Sequence, residues 1–254
     1  MISFSEAQIL AWITPVLWPF LRVLALFQIL PVLGQRTVPA RVRVALSFLV
    51  ALCASGVAPP VDPVPLDSPL AVMLLVQQLL IGLSLGFAVR LVFAAVELAG
   101  ELIGLQMGMN FAGFFDPVMA SQSTAASRFF ATLVSFLFIV TNGHLRVIEV
   151  VVASLQAFPV GPEPFAFLRA VQPQTWGAQI FSMGLWIALP MMAVMLFVNL
   201  VLGVIARVAP QSNIFALGFP ITISVGLVGM MAMLPMLESP FMTTLGRMLS
   251  AFGG

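Results

Sequence analysis

The stretch Ala178–Ala206, AQIFSMGLWIALPMMAVMLFVNLVLGVIA, contains no charged residue and decides the fold class of this chain. As a helix it would extend about 43 Å, whereas about 20 apolar residues already cross a hydrocarbon core. We therefore predict a membrane helix that tilts or bends, with Pro190 as its kink, or that packs partly against protein outside the lipid.

The flanking sequence extends this stretch into a hairpin. Between Arg169 and Glu238 the only charged residue is Arg207, which lies in a proline-containing break between two apolar runs. Two apolar runs joined by a short polar break are typical of neighbouring antiparallel helices. We predict a membrane-buried helical hairpin over residues 170–237. Its polar tip contains Arg207, Gln211 and Asn213.

Composition places the whole chain in a membrane and excludes several function classes. Hydrophobic residues make up 61% of the 254 positions and charged residues 7%, against about 25% charged residues in a soluble domain. The ten basic residues are all arginines without clustering, so we expect no nucleic-acid partner. The lone Cys53 excludes an intrachain disulfide, and we expect it to be buried as a small apolar side chain.

Catalytic and ligand-binding patterns do not occur in the sequence. One histidine and nine scattered carboxylates cannot supply a zinc-ligand spacing, and no nucleotide-binding loop or nucleophile–base arrangement appears. We therefore predict that the chain is not an enzyme and that it uses no cofactor or metal.

Breaks divide the chain into six long apolar segments, which we expect to be helices. They cover approximately 8–33, 42–58, 69–99, 127–158, 176–206 and 214–237. The pattern predicts an all-α, polytopic integral membrane protein of about six long helices, arranged as hairpins in a single membrane-embedded unit, 1–254. The odd-numbered breaks contain more arginine than the even ones, so the positive-inside rule places them, and the hairpin tip, in the cytoplasm.

Several ionisable residues lie within or near the apolar segments, where a charge needs a partner or water. We predict buried polar or ionic contacts for them: Arg22, Arg90, Glu97, Glu101, Arg146 and Glu149. Arg146 and Glu149 have the spacing of a helical ion pair. Glu97 and Glu101 share a helix face, and we predict that they form either a proton or cation relay or partner-facing hydrogen-bond acceptors near a helix end. Recurrent glycines, including Gly82, Gly86, Gly226 and Gly229, indicate close helix packing.

Three blocks of sequence, in order along the chain, resemble one protein family. They are LGQRTVPARVRVAL (Leu33–Leu46), GELIGLQMGMNFAGFFDP (Gly100–Pro117) and NLVLGVIARVAPQSNIFALGFP (Asn199–Pro220). An Asn142-Gly143-His144 sequence follows the second block. The resemblance is to the flagellar FliR family of type III secretion export-gate subunits and to its virulence-secretion counterparts.

The resemblance implies an assembly and a set of partners. Family members are present in one copy in a helical hetero-oligomeric gate with two other small export-gate membrane proteins. Further partners are the export-switch membrane protein, membrane lipid and the unfolded secreted proteins in transit. Residues 1–169 would resemble the larger gate partner, and 170–254 would form a hairpin resembling the small two-helix partner. The hairpin tip would then lie at the cytoplasmic mouth of the gate.

The segment after Met107 is the sharpest functional signal. It places large, soft side chains among Gly108, Gly113 and Asn110, and these side chains are Met107, Met109, Phe111, Phe114 and Phe115. Such a segment suits a plug that closes a narrow hole yet yields to a passing chain, because methionine adapts its shape and apolar constrictions exclude water. Alternatively, it is a loop whose aromatic residues pack on neighbouring helices. The family's pore-plugging loop at this position favours the plug.

The sequence thus predicts a subunit of the flagellar type III export gate in the bacterial inner membrane, within the flagellar basal body. Its function would be to form part of the pore that passes unfolded flagellar proteins. One alternative is a virulence-type export-gate subunit. Another is a small-solute secondary transporter with helices broken at Pro190 and Pro220, although no inverted repeat is evident.

Overall fold

Long α-helices make up the computed structural model, which describes residues 6–253 except 36, 62, 66, 110–122, 162, 164 and 210–213. The helices are α1 (Glu6–Ile29), α2 (Ala40–Ser55), α3 (Pro69–Gln106), α4 (Ala125–Val140), α5 (Gly143–Ala157), α6 (Ala166–Val171), α7 (Trp176–Val208) and α8 (Ile214–Gly253). A 3₁₀ turn, Pro173–Thr175, precedes α7. The described part of the chain contains no strand, so the all-α prediction is confirmed.

Four helical stretches among the described residues are long and apolar enough to cross a membrane. They are Leu10–Ile29, Pro69–Gln106, Phe167–Val208 and Leu217–Gly253, and the bent pair α4–α5 is a fifth candidate. The prediction of a polytopic membrane protein is confirmed, although fewer of the six segments qualify as spans. The segment that became α2 has 16 residues, about 24 Å of helix, which is less than a typical hydrocarbon core of ~30 Å.

The fourth apolar segment was predicted as one helix and is two. α4 and α5 meet at Thr141 and Asn142 with a bend of 67°. Asn142 has φ 57° and ψ 26°, a left-handed conformation that asparagine tolerates better than most residues. A Cβ on Gly143 would lie 2.5 Å from the ring of Phe138 and 3.0 Å from its carbonyl oxygen, so the bend favours glycine there.

Helices α3 and α8 continue well beyond the apolar segments that predicted them. α3 ends at Gln106 rather than near residue 99, and α8 ends at Gly253 rather than near 237. In α8 the extension has a buried stripe at helical spacing, which contains Phe241, Leu245, Met248, Leu249 and Phe252. The apolar run ends in sequence at Glu238. Packing of the buried stripe nevertheless stabilises the helix beyond that point, while Glu238 and Arg247 lie on its exposed side.

The predicted kink residue does not interrupt α7. The helix runs from Trp176 to Val208 with Pro190 inside it. α7 and α8 also pack against each other, because a Cβ on Gly229 would collide with the Met191 side chain. This contact joins positions at similar distances from the break between the helices, as a hairpin requires.

The chain divides into two compact units interleaved in sequence. The first contains Met1–Leu91, Phe138–Trp176 and Thr244–Gly254, and the second contains Val92–Leu137 and Gly177–Thr243. In the first unit, α1 lies directly on α3. A Cβ on Gly86 would be 3.0 Å from the carbonyl oxygen of Leu26, and one on Gly82 would be 2.9 Å from the Cβ of Ala25. The prediction that these two glycines mediate close helix packing is confirmed.

A fully buried arginine connects three helices of the first unit. Arg22 on α1 donates through Nε to the Gln78 side chain on α3 at 2.8 Å. Its Nη1 donates to the backbone oxygen of Ser154 at 2.6 Å and to that residue's hydroxyl at 3.0 Å. Its Nη2 donates to the carbonyl oxygen of Phe158 at 2.7 Å. These neutral acceptors meet the predicted need of Arg22 for partners.

Cys53 contradicts its prediction, because its side chain on α2 is exposed. The residues of α2 that are buried are Ser47, Ala51 and Ala54, a stripe of helical spacing from which Cys53 is rotated away. An apolar run in a membrane protein therefore did not indicate which of its faces is covered by the same chain.

Candidate functional site

The segment singled out after Met107 begins at a fixed point in the second unit. Met107 directly follows the last residue of α3 and is fully buried. Its backbone N–H donates to the Ile103 carbonyl at 3.0 Å, which completes the last turn. Its carbonyl accepts a hydrogen bond from the Thr222 hydroxyl on α8 at 3.2 Å. The start of the segment is therefore joined to α8.

The Met107 side chain occupies a notch on α8 that only a glycine leaves open. A Cβ on Gly226 would collide with the Cγ, Sδ and Cε atoms of Met107. Thr222 and Gly226 are four residues apart and therefore lie on one face of α8. We call this set of contacts, formed by Met107, Thr222 and Gly226, the Met107 seat.

Gly108 turns the chain away from α3 directly after the seat. Its φ is 77°, a conformation that glycine adopts without steric cost and that side-chain-bearing residues rarely adopt. Its N–H donates to the Leu105 carbonyl at 3.0 Å. The glycine at this position therefore has a local structural reason, which is to end the helix in a tight turn.

The end of the segment is fixed at the same end of α3. The Glu101 carboxylate accepts from both the backbone N–H and the hydroxyl of Thr124, each at 3.0 Å. The Thr124 hydroxyl in turn accepts from the Ser127 N–H at 3.2 Å and so caps the first turn of α4. Glu101 is thus a hydrogen-bond acceptor for the start of α4 in the same chain. Its predicted role as an acceptor that faces a partner stays a prediction.

Two glycines allow α4 to approach α3 closely enough for this contact. A Cβ on Gly104 would lie 2.8 Å from the Cβ of Thr124, and one on Gly100 would lie 2.8 Å from the Cα of Ser127. The Ser127 hydroxyl also donates to the Glu97 carbonyl at 3.0 Å. Both ends of the stretch 108–123 are therefore held within about two turns of the end of α3.

Of the remaining residues of the predicted plug, the structure describes Met109 alone. Met109 is half-buried. Asn110, Phe111, Phe114 and Phe115 lie outside the described residues. The plug assignment therefore stays a prediction, and what the structure adds is the geometry of its two ends.

The predicted hairpin tip is described only in part. Arg207 lies in the last turn of α7 and is exposed, a favourable place for a cation because of the helix dipole. Gln211 and Asn213 lie outside the described residues. The position of the tip at the mouth of a gate stays a prediction.

Three of the predicted buried charges are exposed in this chain. Arg90, Arg146 and Glu149 all have exposed side chains, whereas Glu97 and Glu101 are half-buried. Arg146 and Glu149 line a half-open cavity of about 250 Å³ together with small residues near the end of α8, among them Gly246 and Ser250. Burial of these charges against another subunit stays a prediction.

Sequence reasoning missed the partners that hold the site together. Thr222 and Thr124 were not singled out, although both hydroxyls contact the ends of the segment. Gly226 was noted only as a small residue for helix packing. A glycine inside a helix costs about 1 kcal/mol, which signals a close approach without indicating what approaches. The described residues also contain no group of His, Cys, Asp or Glu that could hold a metal ion.

The fold and the site define an all-helical polytopic membrane protein. The segment between Met107 and Thr124 is held at both ends by hydrogen bonds, to Thr222 and Glu101. Residues 13–248 match the family model described as bacterial export proteins, family 1. The flagellar biosynthetic protein FliR of Escherichia coli (strain K12) is 42% identical over 246 residues, which cover 95% of this chain and 92% of that protein. The protein of the same name from Bacillus subtilis (strain 168) is 32% identical, with 82% of each chain covered.

The chain therefore belongs to the FliR family of bacterial export proteins. Its function is that of a component of the flagellar type III export apparatus, and it is a membrane protein of that apparatus. The flagellar alternative is thus favoured over the virulence-type gate and over a small-solute transporter.

Proposed function

We propose that this chain forms part of the pore of the flagellar export gate, and that the segment beginning at Met107 closes that pore at rest. The gate lies in the inner membrane, within the basal body, and passes unfolded flagellar proteins. The chain catalyses no reaction. One copy assembles with the two other small export-gate membrane proteins, and the export-switch membrane protein binds the assembly.

The anchoring of both ends of the segment is the observation that supports closure. The chain leaves α3 at Met107 and returns to it at Thr124, held by the Thr222 and Glu101 hydrogen bonds. The intervening stretch is rich in methionine, phenylalanine and glycine. A closing element needs such fixed ends because it must return to one place after each substrate has passed.

The exposed apolar surface of α7 and α8 supports assembly with other membrane subunits. In the most apolar 18-residue stretches of these helices, only 22% and 28% of residues are buried within the chain. Under this proposal residues 1–169 correspond to the larger gate partner and 170–254 to the small two-helix partner. The exposed Arg90, Arg146 and Glu149 would then find partners on other subunits, since a charge facing lipid is costly.

Replacing the large side chains of the segment tests closure. In a variant with Met109, Phe111, Phe114 and Phe115 changed to glycine or serine, we expect an assembled gate that leaks ions. Small polar side chains neither fill a lumen nor keep it dry. Membrane conductance of cells expressing the variant measures the leak, and native mass spectrometry of the purified gate measures assembly and copy number.

The matched control changes the Pro59–Pro69 loop to the same extent, and we expect no leak from it. Background conductance from a fully assembled segment variant would show that these side chains are ordinary packing. A stable monomer that binds and moves a small solute in liposomes would contradict the pore-subunit function itself.

A further inference from the structure

A cleft in the first unit has two charged side chains on one of its walls. It is the half-open cavity of about 250 Å³ between α5 and the end of α8, and we call it the α5–α8 cleft. Its volume far exceeds the ~30 Å³ that one water molecule occupies in the liquid. The cleft therefore has room for several side chains of a partner.

Each of the two helices lines the cleft with a stripe of helical spacing. The lining residues of α5 are Arg146, Glu149, Val150 and Ala153. The lining residues of α8 are Gly246, Leu249, Ser250 and Gly253. Both sets follow the i, i+3, i+4, i+7 spacing with which a helix presents one face to a neighbour. Two such faces side by side form a groove of the kind that takes a third helix.

The cleft is closed at one end and open at the other. A Cβ on Gly253 would lie 4.0 Å from the Cβ of Ala153, so the two helices are in contact there. A Cβ on Gly246 would meet no atom within 4 Å, so this glycine faces open space. Because Gly246 has no side chain and Ser250 a small one, the backbone of another helix can approach α8 closely at the open end.

Arg146 and Glu149 lie on the α5 wall of the cleft without a counter-charge. Both are exposed, and neither makes an ion pair or a hydrogen bond within the described part of the chain, although their spacing allows an ion pair between them. α5 belongs to a bent helix pair that is apolar enough to cross a membrane, where an unpaired charge is costly. The occupant of the cleft must therefore offer a carboxylate to Arg146 and a cation to Glu149.

We propose that the α5–α8 cleft is the docking groove for a helix of another gate subunit, and that this helix carries an acidic and a basic side chain one turn apart. The acidic side chain pairs with Arg146 and the basic one with Glu149, while the backbone of the docked helix approaches Gly246. A phospholipid headgroup also has both charges, but two facing helical stripes fit a helix better than a headgroup.

This inference rests on one part of the proposed function, which is the assembly of the chain with other gate membrane proteins. It adds the surface of this chain that receives a partner. It also adds the charge pattern by which the partner is selected, since complementary charges across an interface favour one partner and its register over others.

Charge reversal at Arg146 tests the docking groove. In Arg146→Glu the acidic side chain of the partner meets a carboxylate. We expect the yield of intact gate by native mass spectrometry to fall roughly tenfold, the factor that a loss of about 1.4 kcal/mol of association free energy gives. Protease resistance of the chain itself should not change, because Arg146 is exposed.

The matched control is Arg247→Glu. It makes the same charge reversal at an exposed arginine of α8 that does not line the cleft. We expect the control to assemble with the yield of the wild-type chain. An equal loss of intact gate from both variants would show that net charge, and not the cleft, determines the yield.

Exchanging the two charges separates a contact with a partner from a contact within α5. The double variant Arg146→Glu with Glu149→Arg keeps both charges and their spacing, so an ion pair within the helix is preserved. The charges of the docked helix would face like charges at both positions. We therefore expect the double variant to assemble no better than Arg146→Glu. Recovery of the wild-type yield would overturn the proposal.

A photo-crosslinking residue identifies the occupant of the cleft. A diazirine analogue of leucine replaces Val150, which lines the cleft, in the chain assembled into the whole gate. Illumination should join this chain to another gate subunit, which mass spectrometry of the adduct identifies. An adduct with phospholipid alone, or with a second copy of this chain, would overturn the proposal.

The outcomes distinguish failure of the docking groove from failure of the function on which it rests. A fully assembled Arg146→Glu gate would overturn the docking groove and leave the proposed function intact. A wild-type chain that purifies without any other gate subunit would instead overturn the assembly itself.

Discussion

Helices α3 and α7 are similarly long and apolar, but their burial within the chain differs nearly threefold. In their most apolar 18-residue stretches, 61% of residues are buried in α3 and 22% in α7. Sequence composition alone would assign the two helices the same environment. The difference shows that hydropathy indicates a membrane helix without indicating what covers it.

Small residues and polar anchors account for the burial of α3. Gly82 and Gly86 bring it against the backbone of α1, and Gly100 and Gly104 bring it against α4. Gln78 and Glu101 then make hydrogen bonds across those contacts. In a bilayer, where lipid is as apolar as a leucine side chain, close backbone approach and polar contacts are what favour one helix neighbour over another.

α7 instead presents large side chains outward. Phe181, Trp186 and Phe197 are each about 70% exposed, at 68%, 73% and 68%. Exposed apolar patches of this kind need lipid or another subunit to cover them. We therefore expect substitutions on the contact face of α3 to affect folding of the chain, and substitutions on the outer face of α7 to affect assembly.

The largest expected effect is that of Arg22→Ala. It leaves the Gln78 side chain and the Ser154 and Phe158 carbonyls without their buried donor. Each buried polar group that loses its hydrogen-bond partner typically costs about 1–3 kcal/mol, and here several acceptors lose theirs at once. We expect a strongly lowered thermal midpoint and little assembled gate. The matched control is Arg247→Ala, because Arg247 is an exposed arginine on α8 to which we assign no partner on another subunit. Equal stability of the two variants would show that the network contributes little.

A smaller effect is expected for Gly82→Ala. The added Cβ would collide with the Arg22 carbonyl oxygen and lie 2.9 Å from the Cβ of Ala25, so α1 and α3 must separate. Overpacking of this kind costs about 1–3 kcal/mol. Gly203→Ala on α7 serves as the control, since it meets no neighbour within 4 Å. Thermal unfolding of the purified gate measures both variants. A Gly82→Ala gate as stable as the control would mean that the interface adjusts freely.

The same contrast explains how much of the fold could be predicted. Apolar runs located all the long helices, because a run of this length in lipid must satisfy its backbone hydrogen bonds as a helix. They did not locate the bend at Asn142-Gly143. An Asn-Gly pair favours a turn, but the apolar residues on both sides of it suggested one continuous helix. They also ended α8 too early, because its last turns are held by packing of Phe241 and Leu245 and not by hydropathy.

The candidate site shows a similar limit. Met107 could be singled out from its glycine- and phenylalanine-rich surroundings. Its partners Thr222 and Gly226 could not, because they lie more than a hundred residues away and nothing in a single sequence pairs them. Likewise, Glu101 could be recognised as an ionisable residue near a helix end. Its engagement with Thr124 depends on Gly104 allowing α4 to approach, which is a property of the packed structure.

The smallest expected effect on folding is that of Trp186→Ala. This variant tests most directly whether the exposed face of α7, unlike the buried α3, is covered by another subunit. Trp186 is 73% exposed on α7, so its truncation removes little contact within the chain. A surface change of this kind typically alters stability by less than about 0.5 kcal/mol. If another subunit covers this face, the same truncation removes an interface anchor, and tryptophans in such positions often contribute about 2 kcal/mol or more. We therefore expect normal protease resistance of the chain but a reduced yield of intact gate by native mass spectrometry.

Trp176 at the start of the same helix gives the control. Its side chain is 4% exposed and its ring centroid lies 5.9 Å from that of Phe252, so Trp176→Ala should destabilise the chain itself. An undiminished yield of intact gate from Trp186→Ala would place this face of α7 against lipid.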